Sequence, residues 1–177
     1  MNDDPLDALI RQHAPFVWRV LLHLGVPEPH LDDACQEVLL VVCRKLAGFE
    51  GRSSLRTWIY AICKNTARAF FRVQALERER AGADCADVSV VATQDQTLSA
   101  KQAHEELLQV LGTLSDEQRA VFILYEIEEE SMEEVARSLG APVSTCYSRL
   151  HTARAKVEAH MRRRRRGQLR IVAGGDR

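Results

Sequence analysis

The chain has 177 residues, of which 46% are hydrophobic, 28% charged and only 6% aromatic, so it can bury one sizeable core or two small ones. No run of eighteen apolar residues occurs, which excludes a membrane-spanning helix, and the acidic opening MNDDPLDALI lacks the basic-then-apolar order of a secretory signal, so a cytoplasmic protein is expected. The net charge of −1 conceals blocks: residues 44–78 carry eight basic against two acidic side chains, residues 103–161 five against eleven, and residues 162–177 seven against one. Charge sorted in this way points to charged partners.

Residues 5–24 place Leu6, Leu9, Ile10, Phe16, Val17, Val20, Leu21 and Leu24 at helical spacing, with a bend or break expected at Pro15. GVPEP (25–29) stops this helix, and a second, from about His30 to Leu46, carries Ala34, Cys35, Val38, Leu39, Val41, Val42 and Leu46 mostly on one side. GFEGRSS (48–54) is a loop in which Ser53 or Ser54 can cap the next helix. That third helix is predicted from about Leu55 to Arg80, with Leu55, Ile59, Ile62, Thr66 and Val73 inward and most arginines outward.

Periodicity disappears over residues 81–99, which read as a linker, although VSVVAT within it could form a short strand. Helices resume at about Ala100 to Leu111. SDEQ (115–118) and SMEE (131–134) both fit the capping box and place helix starts near 116 and 132. The acidic EIEEE between them reads as a solvated helix end and turn. Gly140 closes the short helix in a left-handed conformation, and Pro142 stands at the mouth of the next. The expected fold class is all-α: two small helical domains, 5–80 and 100–166, a flexible linker at 81–99 and a basic tail at 167–177.

Five scattered cysteines (Cys35, Cys43, Cys63, Cys85 and Cys146) form neither a disulfide framework nor a zinc spacing, and reduced core thiols are expected. No glycine-rich phosphate loop, metal-ligand spacing or nucleophile–base set is present, so no catalytic residue, metal or cofactor is expected. His104-Glu105 is not followed by a second histidine at metalloprotease spacing.

Two segments carry binding chemistry instead. In the last helix Val143, Cys146, Leu150 and Ala153 recur at three- and four-residue intervals and are expected to pack inward. Tyr147, Ser148, His151 and Arg154 then lie on the remaining faces, where hydroxyl, imidazole and guanidinium groups can reach base edges or phosphates. With the preceding short helix and glycine turn, this is a helix-turn-helix arrangement. The helix of SSLRTWIYAICKNTARAFFR carries Arg56, Lys64, Arg68 and Arg72 as a basic stripe interleaved with Trp58, Tyr60, Phe70 and Phe71. Such a stripe can track a phosphate backbone; Trp58 and Phe70 are expected in the core.

The stretch LDDACQEVLLVVCRKLAGFEGRSSLRTWIYAICKNTARAFFR (31–72) resembles conserved region 2 of sigma-70 factors of the extracytoplasmic function (ECF) group. LGTLSDEQRAVFILYEIEEESMEEVARSLGAPVSTCYSRLHTARAKV (111–157) resembles region 4 of the same group. The resemblance implies that Asp33, Gln36 and Glu37 dock on the β′ clamp helices of core RNA polymerase, and that the second domain meets the β flap. It implies that the 48–54 loop, with Gly51, Arg52, Ser53 and Ser54, captures a flipped base of the promoter −10 element. Arg56, Asn65, Arg68 and Arg72 would bind the −10 region as it melts. Ser144, Thr145, Tyr147, Ser148, His151, Thr152 and Arg154 would face the −35 element, and an anti-sigma factor is expected as a further partner.

Two departures matter. Family members often carry a basic residue before the second loop glycine and an acidic one after it, where this chain has Glu50 and Arg52. The positions of Tyr147 and Thr152 are often basic in the family, which predicts fewer cationic contacts at −35. The expected function is that of an ECF sigma factor, which brings polymerase to a promoter and assists melting. A stand-alone helix-turn-helix regulator is the alternative, but it leaves residues 31–72 without a role.

Overall fold

The computed structural model describes residues 5–80 and 98–173, with side chains at 5–80 and 105–163. Every regular element among them is helical. The chain divides into two compact units, Met1–His104 and Glu105–Arg177. Most of the expected linker, including VSVVAT and Cys85, lies outside the described residues, whereas Leu98 and Ser99 already belong to a helix.

The first unit packs three helices on one another: α1 (Pro5–His23), α2 (Glu28–Lys45) and α3 (Leu55–Arg80). Phe16, Val17, Val20 and Leu21 of α1 meet Leu31, Val38 and Val42 of α2 and Ile59, Tyr60 and Cys63 of α3, all nearly solvent-free. Fully burying one such side chain is worth about 1.5–3 kcal/mol, so these positions dominate the stability of the unit. Of the bend or break expected at Pro15, no break occurs: helix α1 runs through it as one element. It ends in a Schellman motif. Val26 N–H donates to Leu21 O (3.1 Å) and Gly25 N–H to Leu22 O (2.9 Å), with Gly25 at φ +93° as the motif requires. Helix α2 begins two residues earlier than expected, because Pro29 in the first turn has no intrahelical donor to lose. Val73, expected inward, is 51% exposed, because the last turns of α3 overhang the three-helix core.

Helix α4 (Leu98–Gly112) enters the second unit at Glu105, followed there by α5 (Asp116–Phe122), a π-helical turn (Ile123–Ile127), α6 (Met132–Leu139) and α7 (Val143–Ala173). Ser115 forms the complete reciprocal capping box with Gln118. At Ser131 only half of the expected box exists: its hydroxyl accepts from Glu134 N–H (3.2 Å), while the Glu134 carboxylate pairs with Arg137. Gly140, at φ +60° and ψ 33°, closes α6 in the left-handed region as expected. Val121, Ile123, Leu124, Met132, Val135, Cys146, Leu150 and Ala153 form the core. Two expectations fail here. Val143 opens α7 and is 37% exposed, and EIEEE is not a solvated turn throughout, since the π turn carries Glu128 to 4% exposure.

His13 on α1 is buried. Burial first, and then the Arg56 guanidinium, hold its pKa below the ordinary 6.5. Folded His13 therefore binds a proton less readily than the unfolded chain does. Its contribution to stability is complete above about pH 6.5 and is lost as pH falls through that value toward the lowered folded pKa. The urea midpoint should thus fall more steeply between about pH 7 and pH 5 in the parent chain than in His13→Gln. Parallel slopes would show that His13 contributes nothing.

Candidate nucleic-acid interface

In the first unit, α2 turns Ala34, Val38 and Val42 into the core and leaves Asp33, Gln36 and Glu37 exposed. Beside these polar groups runs a shallow apolar groove lined by Ile10, Asp32, Cys35, Gln36, Leu39, Leu40 and Cys43, with Leu40 49% exposed. Sequence reading missed this groove. Its signal was present: α2 carries apolar residues at 35, 39, 40 and 43 beside the stripe at 34, 38 and 42, more than one buried face requires. Burial, and then the Asp32 carboxylate, raise the pKa of Cys35, so this thiol stays protonated and behaves as an apolar lining group.

A 3-10 turn (Leu46–Gly48) leads from α2 into the loop, where Phe49 stacks at a tilt on Trp58 of α3 with centroids 5.2 Å apart. Trp58 and Phe70 are half-buried and pair with Phe49 and with His30 (5.1 Å), not in the central core where they were expected. At the loop tip Gly51 takes φ +66°, a conformation that other residues reach only with strain. Arg52 is exposed and bridges to Glu50 at 2.6 Å. Ser53 is half-buried and donates to the Ser54 carbonyl (3.4 Å). The Ser54 hydroxyl accepts from Thr57 N–H at 3.2 Å and caps α3.

Along α3 the expected basic stripe divides. Asn65, Arg68 and Arg72, at helical spacing, are exposed together on one outer face. Lys64 is half-buried, and Arg56 turns inward to place its guanidinium 4.7 Å from the centroid of the Phe16 ring. Arg56 thus ties α3 to α1 through a cation–π contact.

In the second unit Cys146, Leu150 and Ala153 pin α7 against α5 and α6. The opposite surface exposes Ser144, Ser148, His151 and Thr152, while Tyr147 and Arg154 are exposed on the flank beside the π turn and Thr145 is half-buried. The Ser148 hydroxyl donates to Ser144 O (3.1 Å) and that of Thr152 to Ser148 O (3.0 Å). Their single protons are therefore committed and their lone pairs face outward as acceptors, suited to exocyclic amino groups of cytosine or adenine. Tyr147 meets Tyr125 edge-on at 6.4 Å. Arg154, one of the residues expected to face the −35 element, is paired with Glu126, with Nε 2.6 Å from the carboxylate.

Among the described residues, no cluster of three histidine, cysteine, aspartate or glutamate side chains is placed to hold a metal, and no helix is long and apolar enough to cross a membrane. The arrangement offers an acceptor-rich helix face in one unit, and a loop with a cationic helix face in the other. Both suit nucleic acid better than a small-molecule substrate.

Comparison with known proteins agrees with this geometry. The family profile described as Sigma-70 region 2 matches residues 9–77, and that described as Sigma-70, region 4 matches residues 104–157. The RNA polymerase sigma factor YlaC of Bacillus subtilis is 31% identical over 167 residues, covering 92% of this chain and 95% of YlaC. The ECF RNA polymerase sigma-E factor of Escherichia coli is 24% identical over 142 residues, 75% of this chain and 74% of that protein. Among solved structures, the sigma factor RpoE in complex with the anti-sigma factor NepR from Bartonella quintana superposes with a TM-score of 0.68. It is 22% identical, with 88% of this chain and 95% of that one covered, a likeness of fold.

Proposed function

The chain belongs to the sigma-70 family of RNA polymerase sigma factors, in its extracytoplasmic function group, and from that premise we propose a division of labour between its two units. As such a factor it binds core RNA polymerase, directs it to specific promoters and promotes melting of the DNA. Asp33, Gln36 and Glu37 dock on the β′ clamp helices, with the apolar groove around Leu39 and Leu40 completing the contact; the second unit meets the β flap. Gly51, Arg52 and Ser53 form the loop that receives an unpaired base of the −10 element, and Asn65, Arg68 and Arg72 hold the strand behind it. Ser54 and Arg56 serve that surface indirectly, by capping α3 and by fixing it to α1. Ser144, Thr145, Tyr147, Ser148, His151, Thr152 and Arg154 read the −35 element from α7.

The physics of melting supports this order of events. Unstacking a base costs a few kcal/mol, and capture of the extruded base offsets part of that cost. The −35 contacts supply position and register on intact duplex. Polymerase carries out nucleotidyl transfer, so the chain works in the cytoplasm without catalytic residues or a cofactor of its own. An anti-sigma factor is a further partner; the related fold of RpoE, solved with NepR, supports this.

The observation that carries the proposal is the second surface. A stand-alone regulator needs the α7 face but has no use for an exposed docking helix and cationic α3 face in a separate unit. Mixed with bacterial core polymerase, the purified chain should co-elute as a one-to-one complex and bind promoter DNA weakly without it. Tight dimeric binding to a palindrome in the absence of polymerase would overturn the reading.

A further inference from the structure

The second unit presents a base-reading helix from an acidic body. Residues 103–161 carry five basic and eleven acidic side chains, and four of those five cations make a hydrogen bond or ion pair within the unit. Arg119 Nε donates to Leu111 O (2.8 Å), closing the end of α4. Arg137 pairs with Glu134 and Arg154 with Glu126. Lys156 Nζ donates to Gln118 (3.0 Å) and to Thr113 O (3.4 Å), which leaves Arg149, half-buried on α7. Phosphate binding normally supplies most of the affinity of such a domain, and this body has little positive charge to give.

The charge lies further along the same helix. The region 4 match ends at residue 157, but α7 continues without a break to Ala173, and residues 162–166 are five successive arginines. Arg162 is tied to Glu158 at 2.5 Å, while Arg163 is exposed. From Arg154 to Arg162 the helix advances about 12 Å at 1.5 Å per residue, about the width of the major groove. A helix with its exposed turns in the groove therefore brings the arginine run to the flanking phosphates. Five consecutive positions exceed one 3.6-residue turn, so a phosphate approaching from any side meets a position of the run.

We propose that the extension of α7 over residues 158–173 is a sequence-independent clamp on the DNA backbone beside the −35 element, and that it supplies most of the electrostatic affinity of the second unit. The inference rests on the reading of α7 as DNA-facing.

The test measures binding of the full chain to a labelled duplex of random sequence as salt is varied. The parent is compared with R162Q/R163Q/R164Q/R165Q/R166Q, which keeps helix propensity, and with the corresponding five-lysine variant. Loss of about four phosphate contacts should flatten the plot of log affinity against log salt by roughly 3–4 units. Over a fourfold rise in salt, parent affinity should therefore fall on the order of 100-fold more than that of the glutamine variant. Lysine should restore the slope. Equal slopes for parent and glutamine variant would overturn the proposal. So would an unchanged slope with weakened binding to core polymerase, which would assign the run to a protein contact. Ser148→Ala with His151→Ala should lose −35 selectivity and keep the random-duplex slope, so failure of the clamp and failure of the DNA-facing reading give different results.

Discussion

Replacing Asp33 and Gln36 together by alanine should lower affinity for core polymerase on the order of 100-fold while leaving the helical circular dichroism signal and the urea midpoint unchanged. Both residues are exposed on α2, on the side away from Ala34, Val38 and Val42, so almost no packing is lost. Hydrogen bonds that involve a charged group are each worth about 1.5–3 kcal/mol at a well-formed contact. Loss of two gives roughly 3 kcal/mol, or about two decades in affinity. By contrast, Leu21→Ala on the buried face of α1 should cost about 2–5 kcal/mol of stability. A competition assay with labelled chain measures the first effect directly. Unchanged affinity for polymerase in the double variant would remove α2 as the docking element.

The second large effect separates melting from positioning. Arg52→Ala with Ser53→Ala should reduce open-complex formation about 30-fold, if the loop offsets about 2 kcal/mol of the unstacking cost. A template already unpaired at −10 should recover most of that loss. Ser148→Ala with His151→Ala should cost about 1–3 kcal/mol for each lost base contact on duplex promoter, and the unpaired template should recover little. Arg154 is the poorer choice for this test, because its pairing with Glu126 couples any change there to the packing of the unit. Equal rescue of both sets would mean that the two units do not divide the work as proposed.

How far the sequence could be read depended on the range of the interaction concerned. Local signals held. Apolar spacing located the helices, Ser115 its capping box, and Gly140 the left-handed turn, because each is decided within a few residues. Interactions across the chain were not legible. Arg154 and Glu126 are 28 positions apart and meet only after α7 packs beside the π turn. Arg56 reads as part of a basic stripe until α1 brings Phe16 beneath it. Val73 fits the inward spacing of α3, yet the core ends before that turn. Glu128 sits in a run of acids that pattern alone makes solvent-facing, and the widened π turn draws it inside. The polar outer face of α7 was visible from its hydroxyl, imidazole and guanidinium groups. The groove beside Asp33, Gln36 and Glu37 was not, since Leu39 and Cys43 look like surplus core residues until the packing of α1 on α2 leaves them uncovered.

This chain turns core polymerase into an enzyme that opens promoters at a place the chain selects. Permanganate reactivity of thymines on a duplex carrying one of its own promoters, mapped from start sites induced by overexpression, tests it most directly. Reactive thymines confined to the −10 region should appear when chain and core polymerase are both present, and with neither alone. Thymines that stay unreactive in the complete mixture, or a −10 pattern that core polymerase produces without the chain, would contradict the account.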